Sequence, residues 1–201
     1  FADHAPYYRR LTAKVQAAVE KSGALTQLAA FYGYEQNSYQ ITLYPLANGG
    51  FAERVPGPNG RYAVFVFATV LADEAAFTGL LLHEIGHAYT GPLAYNTHAM
   101  ALNQYSRLFQ PIEASMKRQN YHSWINCVDE HVNRAVTARL LQHIYSGQTG
   151  QRELEKNRKR DFIYTESIYQ CLADYEQHRD KYPTFDPFYP QIVQVFGELA
   201  R

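Results

Sequence analysis

This sequence has no excess of charge of either sign. Nineteen Lys and Arg balance nineteen Asp and Glu, and the sequence pI is about 7.2. A neutral chain lacks the basic surface that nucleic acid or anionic lipid requires, so neither is expected as a partner. Cysteine is scarce. Cys127 and Cys171 are the only two, and they make no CxxC pair and no disulfide scaffold. One bridge and two buried thiols both stay open. Long apolar runs are also missing: AVFVFATVLA, residues 63–72, is too short to cross a bilayer, which takes about 20 apolar residues. There are no internal repeats and no low-complexity segments. The chain opens FADHAPYY, with no initiator Met and no signal peptide, which reads as a trimmed or mature form.

What is present suits a packed globular domain. The 201 residues are 46% hydrophobic and 19% charged. Seventeen Tyr and eleven Phe are many for this length. Core packing is their default use, and lining a substrate groove is the other.

Apolar spacing predicts helix over 7–32, with a break at Gly23. SYQITLYPL, 38–46, alternates as a strand does, and RYAVFVFAT, 61–69, is β-branched and aromatic. The Gly- and Pro-rich stretch between them, 48–60, reads as a turn region. Asp73 is placed to cap a helix over 74–89, which Gly91 and Pro92 should stop. Further helices are predicted near 97–118, 124–146 (capped by Ser123, ended by Gly147), 151–180 and 187–200. The charged run 151–161 mixes both signs and reads as a solvated helix face.

The helix over 74–89 carries HEIGH, an instance of H-E-x-x-H. Residues four apart on an α-helix are turned by about 40° and lie one turn apart. His83 and His87 therefore converge on one point, as two nitrogen ligands of a zinc ion must. Glu84 lies about 100° round from His83, where it can reach a water at the same ion as general base. Gly86 implies something packed close to the backbone, and a tight helix crossing is the simplest reason.

A catalytic zinc commonly takes a third protein ligand and keeps one position open. The extended form H-E-x-x-H-x-x-G-x-x-H is excluded, because Thr90 and Leu93 stand where Gly and His are required. Glu130 is the favoured third ligand. Arg134, four residues on, can hold its carboxylate from one helix face. Asp129 and His98 stay open as alternatives, and Asp129 is also a candidate partner for the free N–H of a ligand histidine. His131 points elsewhere. A further electrophile is sought among Tyr164, Tyr169, His122 and His143, with Tyr164 first.

The residues HEIGH, 83–87, and Glu130 in DEHVNRA resemble the glutamate-zincin branch of the zincin metallopeptidases. Arg134 stands where the best-known members carry Asp. The chain is also similar to a bacterial family of predicted metallopeptidases described as a domain of unknown function. That likeness lies in HEIGHAYTGPL, EHVNRAVTARL and YPTFDPFYPQIVQVF (182–196), and it covers most of 40–200. It implies an α+β, mainly helical, zincin-like domain spanning 1–201: helix, small N-terminal β-sheet and active-site helix over 1–90, then a helical half over 91–201 with the third ligand. It implies a Zn2+ cofactor on His83, His87 and Glu130, and a peptide or protein substrate cut by zinc-activated water with Glu84 as base. A non-catalytic metal-binding or interaction module is the alternative. The resemblance also places strand 61–69 at the sheet edge, open to an extended peptide, and leans toward an exported bacterial protein.

Overall fold

Helix forms first in the chain, and Pro6 sits in its opening turn, where no N–H is needed. The computed structural model describes residues 2–44, 50–55, 61–66 and 73–201. Helix α1 spans Ala5–Ser22 and α2 spans Ala24–Tyr32. Gly23, at φ 61°, makes the left-handed break between them, and Gly33, at φ 82°, ends α2.

Gly33 is also where the two ends of the chain meet. A Cβ there would stand 2.2 Å from the Pro183 carbonyl oxygen, whereas a Cβ on Gly23 meets no atom within 4 Å. Gly23→Ala should therefore cost only the left-handed penalty of about 1–2 kcal/mol. Gly33→Ala should cost more than about 3 kcal/mol, because backbone must also move. Urea unfolding of the two variants checks this, and equal losses would contradict the contact.

The sheet has three strands: β1 (Tyr39–Leu43), β2 (Gly50–Val55) and β3 (Arg61–Val66). Their order is β1-β3-β2, with β1 parallel and β2 antiparallel to β3. Two expectations are corrected here. The stretch 48–60 contains a strand, because backbone pairing with β3 outweighs weak local strand preference. β3 is central rather than at the edge, having β1 on one side and β2 on the other. The outer ends of the two predicted strands, 45–46 and 67–69, and the loop segments 48–49 and 56–60 lie outside the described residues.

Helix α3, Glu74–Pro92, is capped as expected: Asp73 accepts from the Ala76 N–H at 3.0 Å. It does not stop before Gly91. It runs through Pro92 into a π-turn, Leu93–Thr97. Pro92 has no N–H for the Ala88 carbonyl, and the Gln36 amide donates there instead at 3.3 Å.

The stretch predicted as one helix over 97–118 is three pieces: α4 (Ala99–Asn103), a 3-10 turn (Ser106–Phe109) and α5 (Glu113–Arg118). Pro111 lies in the turn before α5 and supplies no N–H to continue the helix through it. Helix α6, Trp124–Ile144, starts on Ser123, whose Oγ accepts from the Asn126 N–H at 3.2 Å. Gly147 opens the next helix rather than ending α6, since Ser146 caps α7 (Gly147–Lys159). The run 151–180 is likewise broken, between α7 and α8 (Thr165–Gln177), where Asp161 takes φ 64°. Asp tolerates that conformation better than most residues. Helix α9 spans Tyr189–Leu199.

The architecture is mainly helical α+β. Helix α6 lies at its centre, packed against α3, α7 and α8. Most of its residues are buried, polar ones included. Part of the same core gathers aromatic rings: Tyr32 stacks on Tyr89 at 4.2 Å, with Phe31, Tyr175, Phe185 and Phe188 nearby. Tyr175 Oη and Arg179 Nη1 both donate to the Phe31 carbonyl, tying α8 to the end of α2. Cys127 and Cys171 are free thiols on α6 and α8. No described helix is long and apolar enough to cross a membrane.

Candidate metal centre

Helices α3 and α6 approach closely because one of them lacks a side chain. A Cβ on Gly86 would stand 2.0 Å from Asn133 Oδ1. Asn133 instead fills that space and donates through Nδ2 to the His83 carbonyl at 2.5 Å, with His83 Nδ1 at 3.4 Å. The close packing expected at Gly86 is thus a helix crossing, and Asn133 is the residue that uses it.

The crossing brings His83, His87 and Glu130 together. Their candidate donor atoms all lie within 4.8 Å of one another. Glu130 Oε2 is 3.5 Å from His83 Nε2, and Oε1 is 3.3 Å from His87 Nε2. Those two separations, within a span of 4.8 Å, are compatible with a metal ion among the three side chains. Two imidazoles and one carboxylate are also a donor set that suits such an ion.

Each donor is held by a partner. Asp129 Oδ2 accepts from His87 Nδ1 at 2.8 Å, and its Oδ1 accepts from Thr90 Oγ1 at 2.6 Å. That bond keeps the proton on Nδ1 and turns Nε2 toward Glu130. Arg134 Nη2 donates to Glu130 Oε2 at 2.8 Å. Arg134 is fixed in turn by Asn157 Oδ1 at 3.1 Å and by the Phe162 ring, 3.9 Å from its guanidinium carbon. Burial opposes the charged form of His87, but Asp129 and Glu130 outweigh it and raise its pKa well above the usual imidazole value. Burial likewise opposes the charge on Glu130, and the two imidazoles reverse that, holding its pKa well below the carboxylate range.

Glu84 lines a cleft of about 410 Å3 beside His83. Gly50, Leu80, Tyr121, Arg134, Thr137 and Arg160 also line it. Glu84 is largely buried and has no hydrogen-bond partner among the described residues.

Other candidates lie elsewhere. Asp129 stands behind His87 rather than beside Glu130 as a donor, and His98 stacks on Tyr189 with ring centres 4.9 Å apart. His131 is fully buried, Nδ1 bonds to the Cys127 carbonyl, and burial brings its pKa down to about 4. The expectation for Tyr164 is corrected. Its hydroxyl donates to the Leu108 carbonyl at 2.7 Å, and its ring packs on Trp124 and His131. Tyr169 bonds to Gln142, His143 pairs with Glu176, and none of these, nor His122, lines the cleft. The tyrosine that lines it is Tyr121, whose hydroxyl accepts from Arg134 at 3.3 Å. Tyr95, on the π-turn, lies near the same acids: burial first, then the Asp129 charge, push it up to about 12. The sequence offered no local signal for either, since both arrive through long-range packing.

Asp129→Asn tests the support given to His87. Loss of the carboxylate should weaken zinc binding about 10–100-fold, the usual effect of removing such a partner. Competition with a zinc-responsive dye measures it, and unchanged affinity would exclude the role.

No curated protein and no solved structure matches the chain. One family model does, over residues 1–195, so the shared region takes in α1 and α2 as well as the metal centre. The chain belongs to the family described as Domain of unknown function (DUF4932).

Proposed function

We propose that this protein is a zinc-dependent, zincin-like peptidase or closely related amide hydrolase. One observation carries the reading: two imidazoles of one helix and a carboxylate of another converge beside a cleft that also contains Glu84. His83, His87 and Glu130 would hold the ion. When bound, a divalent ion there supplies Lewis acidity that polarises a carbonyl and makes an attacking water more acidic.

The chain's own groups supply the rest. Glu84 takes the proton of the attacking water and passes it to the leaving nitrogen. It has no hydrogen-bond partner among the described residues, which suits that task, because no such bond must be broken before it accepts. Asp129 holds His87 in one tautomer and Arg134 holds the Glu130 carboxylate. Tyr121, on the cleft wall, takes the place assigned from sequence to Tyr164 and donates to the carbonyl oxygen. Strand addition by an extended substrate moves to β2, whose Gly50 lines the cleft and whose outer edge is unpaired among the described strands. An exported location belongs to the same proposal.

The test is metal analysis followed by digestion of a mixed peptide library read by mass spectrometry. One zinc per chain and defined cleavage products, both lost with chelator, are expected. Zinc without cleavage of any peptide would leave only the metal-binding module.

A further inference from the structure

The cleft beside Glu84 contains a charged group that the hydrolytic step does not use. Arg160, at the C-terminal cap of α7, lines it together with His83 and Glu84. Its position is set from both ends. Arg160 Nε donates to Gln119 Oε1 at 3.2 Å, and Gln119 Nε2 donates to the Arg160 carbonyl at 2.9 Å. Phe162 lies under the guanidinium, 5.5 Å from ring centre to the central carbon. Nε is therefore occupied, while Nη1 and Nη2 have no acceptor among the described residues.

The neighbouring cations differ from Arg160 in how they are paired. Lys156 is neutralised by Glu153 at 3.1 Å, and Arg134 by Glu130 at 2.8 Å. Arg160 has no ion pair among the described residues; Glu130 and Glu153 act on it only at longer range, and Arg134 is a like-charged neighbour. Burial, then that neighbour, push Arg160 below its ordinary value. Two parallel N–H groups on a fixed fork match the two oxygens of a carboxylate. The small residues Ala75, Ala76 and Gly79 of α3 line the same cleft.

We propose that Arg160 is a specificity-determining residue that binds a carboxylate, so that the substrates are peptides with an acidic group beside the scissile bond. This rests on the hydrolase reading above. The carboxylate can come from an Asp or Glu side chain or from a free C-terminus, and both present the same two oxygens.

The experiment uses the full chain loaded with zinc and carrying Glu84→Gln, so that peptide is not consumed. Dye-labelled, Ala-rich octapeptides are titrated in pairs and read by fluorescence anisotropy. One pair differs by Glu against Gln at a single position, the other by a free against an amidated C-terminus. In one pair the acidic member should bind about tenfold tighter, the scale of one hydrogen bond to a charged group. The pair that shows the difference identifies the source of the carboxylate. The difference should shrink with salt, vanish in Arg160→Gln and survive in part in Arg160→Lys. Equal binding within both pairs, no binding of any peptide, or a preference that persists in Arg160→Gln would overturn the assignment. Hydrolysis by the wild-type protein, run alongside, separates the two readings. Cleavage without an acidic preference removes only the role of Arg160. The preference without cleavage of any peptide leaves that role standing and removes the hydrolase.

Discussion

Glu84→Gln should lower peptide hydrolysis about a thousandfold, within the range for loss of a positioned general base. It should do so while zinc stays at one ion per chain. The substitution keeps size and shape and removes only the capacity to take a proton. Glu84 is 8% exposed and has no ion pair or hydrogen bond among the described residues, so no buried partner is left unpaired. The proposed metal donors are other side chains, and their partners Asp129 and Arg134 are untouched. Stability should therefore change little, and the thermal midpoint provides the control. Turnover of the variant equal to wild type, with zinc bound in both, would remove Glu84 from the chemistry. An equal loss of zinc and activity would make it part of the binding site instead.

The second large effect is expected on stability and metal together. Glu130→Ala removes a donor and leaves the Arg134 guanidinium, whose side chain is 7% exposed, without its carboxylate. Breaking a buried pair from one side costs about 3–5 kcal/mol. In the wild type, zinc at about a thousand times its dissociation constant should add about 4 kcal/mol. The variant should show neither that gain nor the upward shift of its thermal midpoint. A companion, Glu130→Ala with Arg134→Met, separates the two effects. It removes the orphaned charge, so stability should largely return while the response to zinc does not. Guanidinium unfolding with and without zinc reads both quantities. A zinc response preserved in Glu130→Ala would mean that the third donor is some other group.

Local features were readable from the sequence to the extent that they need only near neighbours. The turn of about 40° between His83 and His87 follows from helix geometry alone. The caps at Asp73 and Ser123 are likewise two- or three-residue affairs, and both are present. Pairing across the chain was not readable. β2 exists because β3 offers it a backbone partner, and its own residues look like a turn. Asn133, Tyr121 and Tyr95 reach the site through packing between segments far apart in sequence, and none carries a spacing that announces it. Tyr164 follows α6 in the chain, but a single helix has several faces. Tyr164 packs beside His131, about 100° round the helix from Glu130. Helix ends were misread where a side chain or a neighbour supplied what Gly or Pro took away, as Gln36 does for Ala88.

The contact of Gly86 with Asn133 has a consequence for how this sequence can change over time. A single methyl at position 86 would displace the amide that holds the His83 backbone, so any drift there needs a smaller neighbour at 133 in the same lineage. The two positions should covary, and selection on an imidazole thereby extends to a residue with no side chain at all.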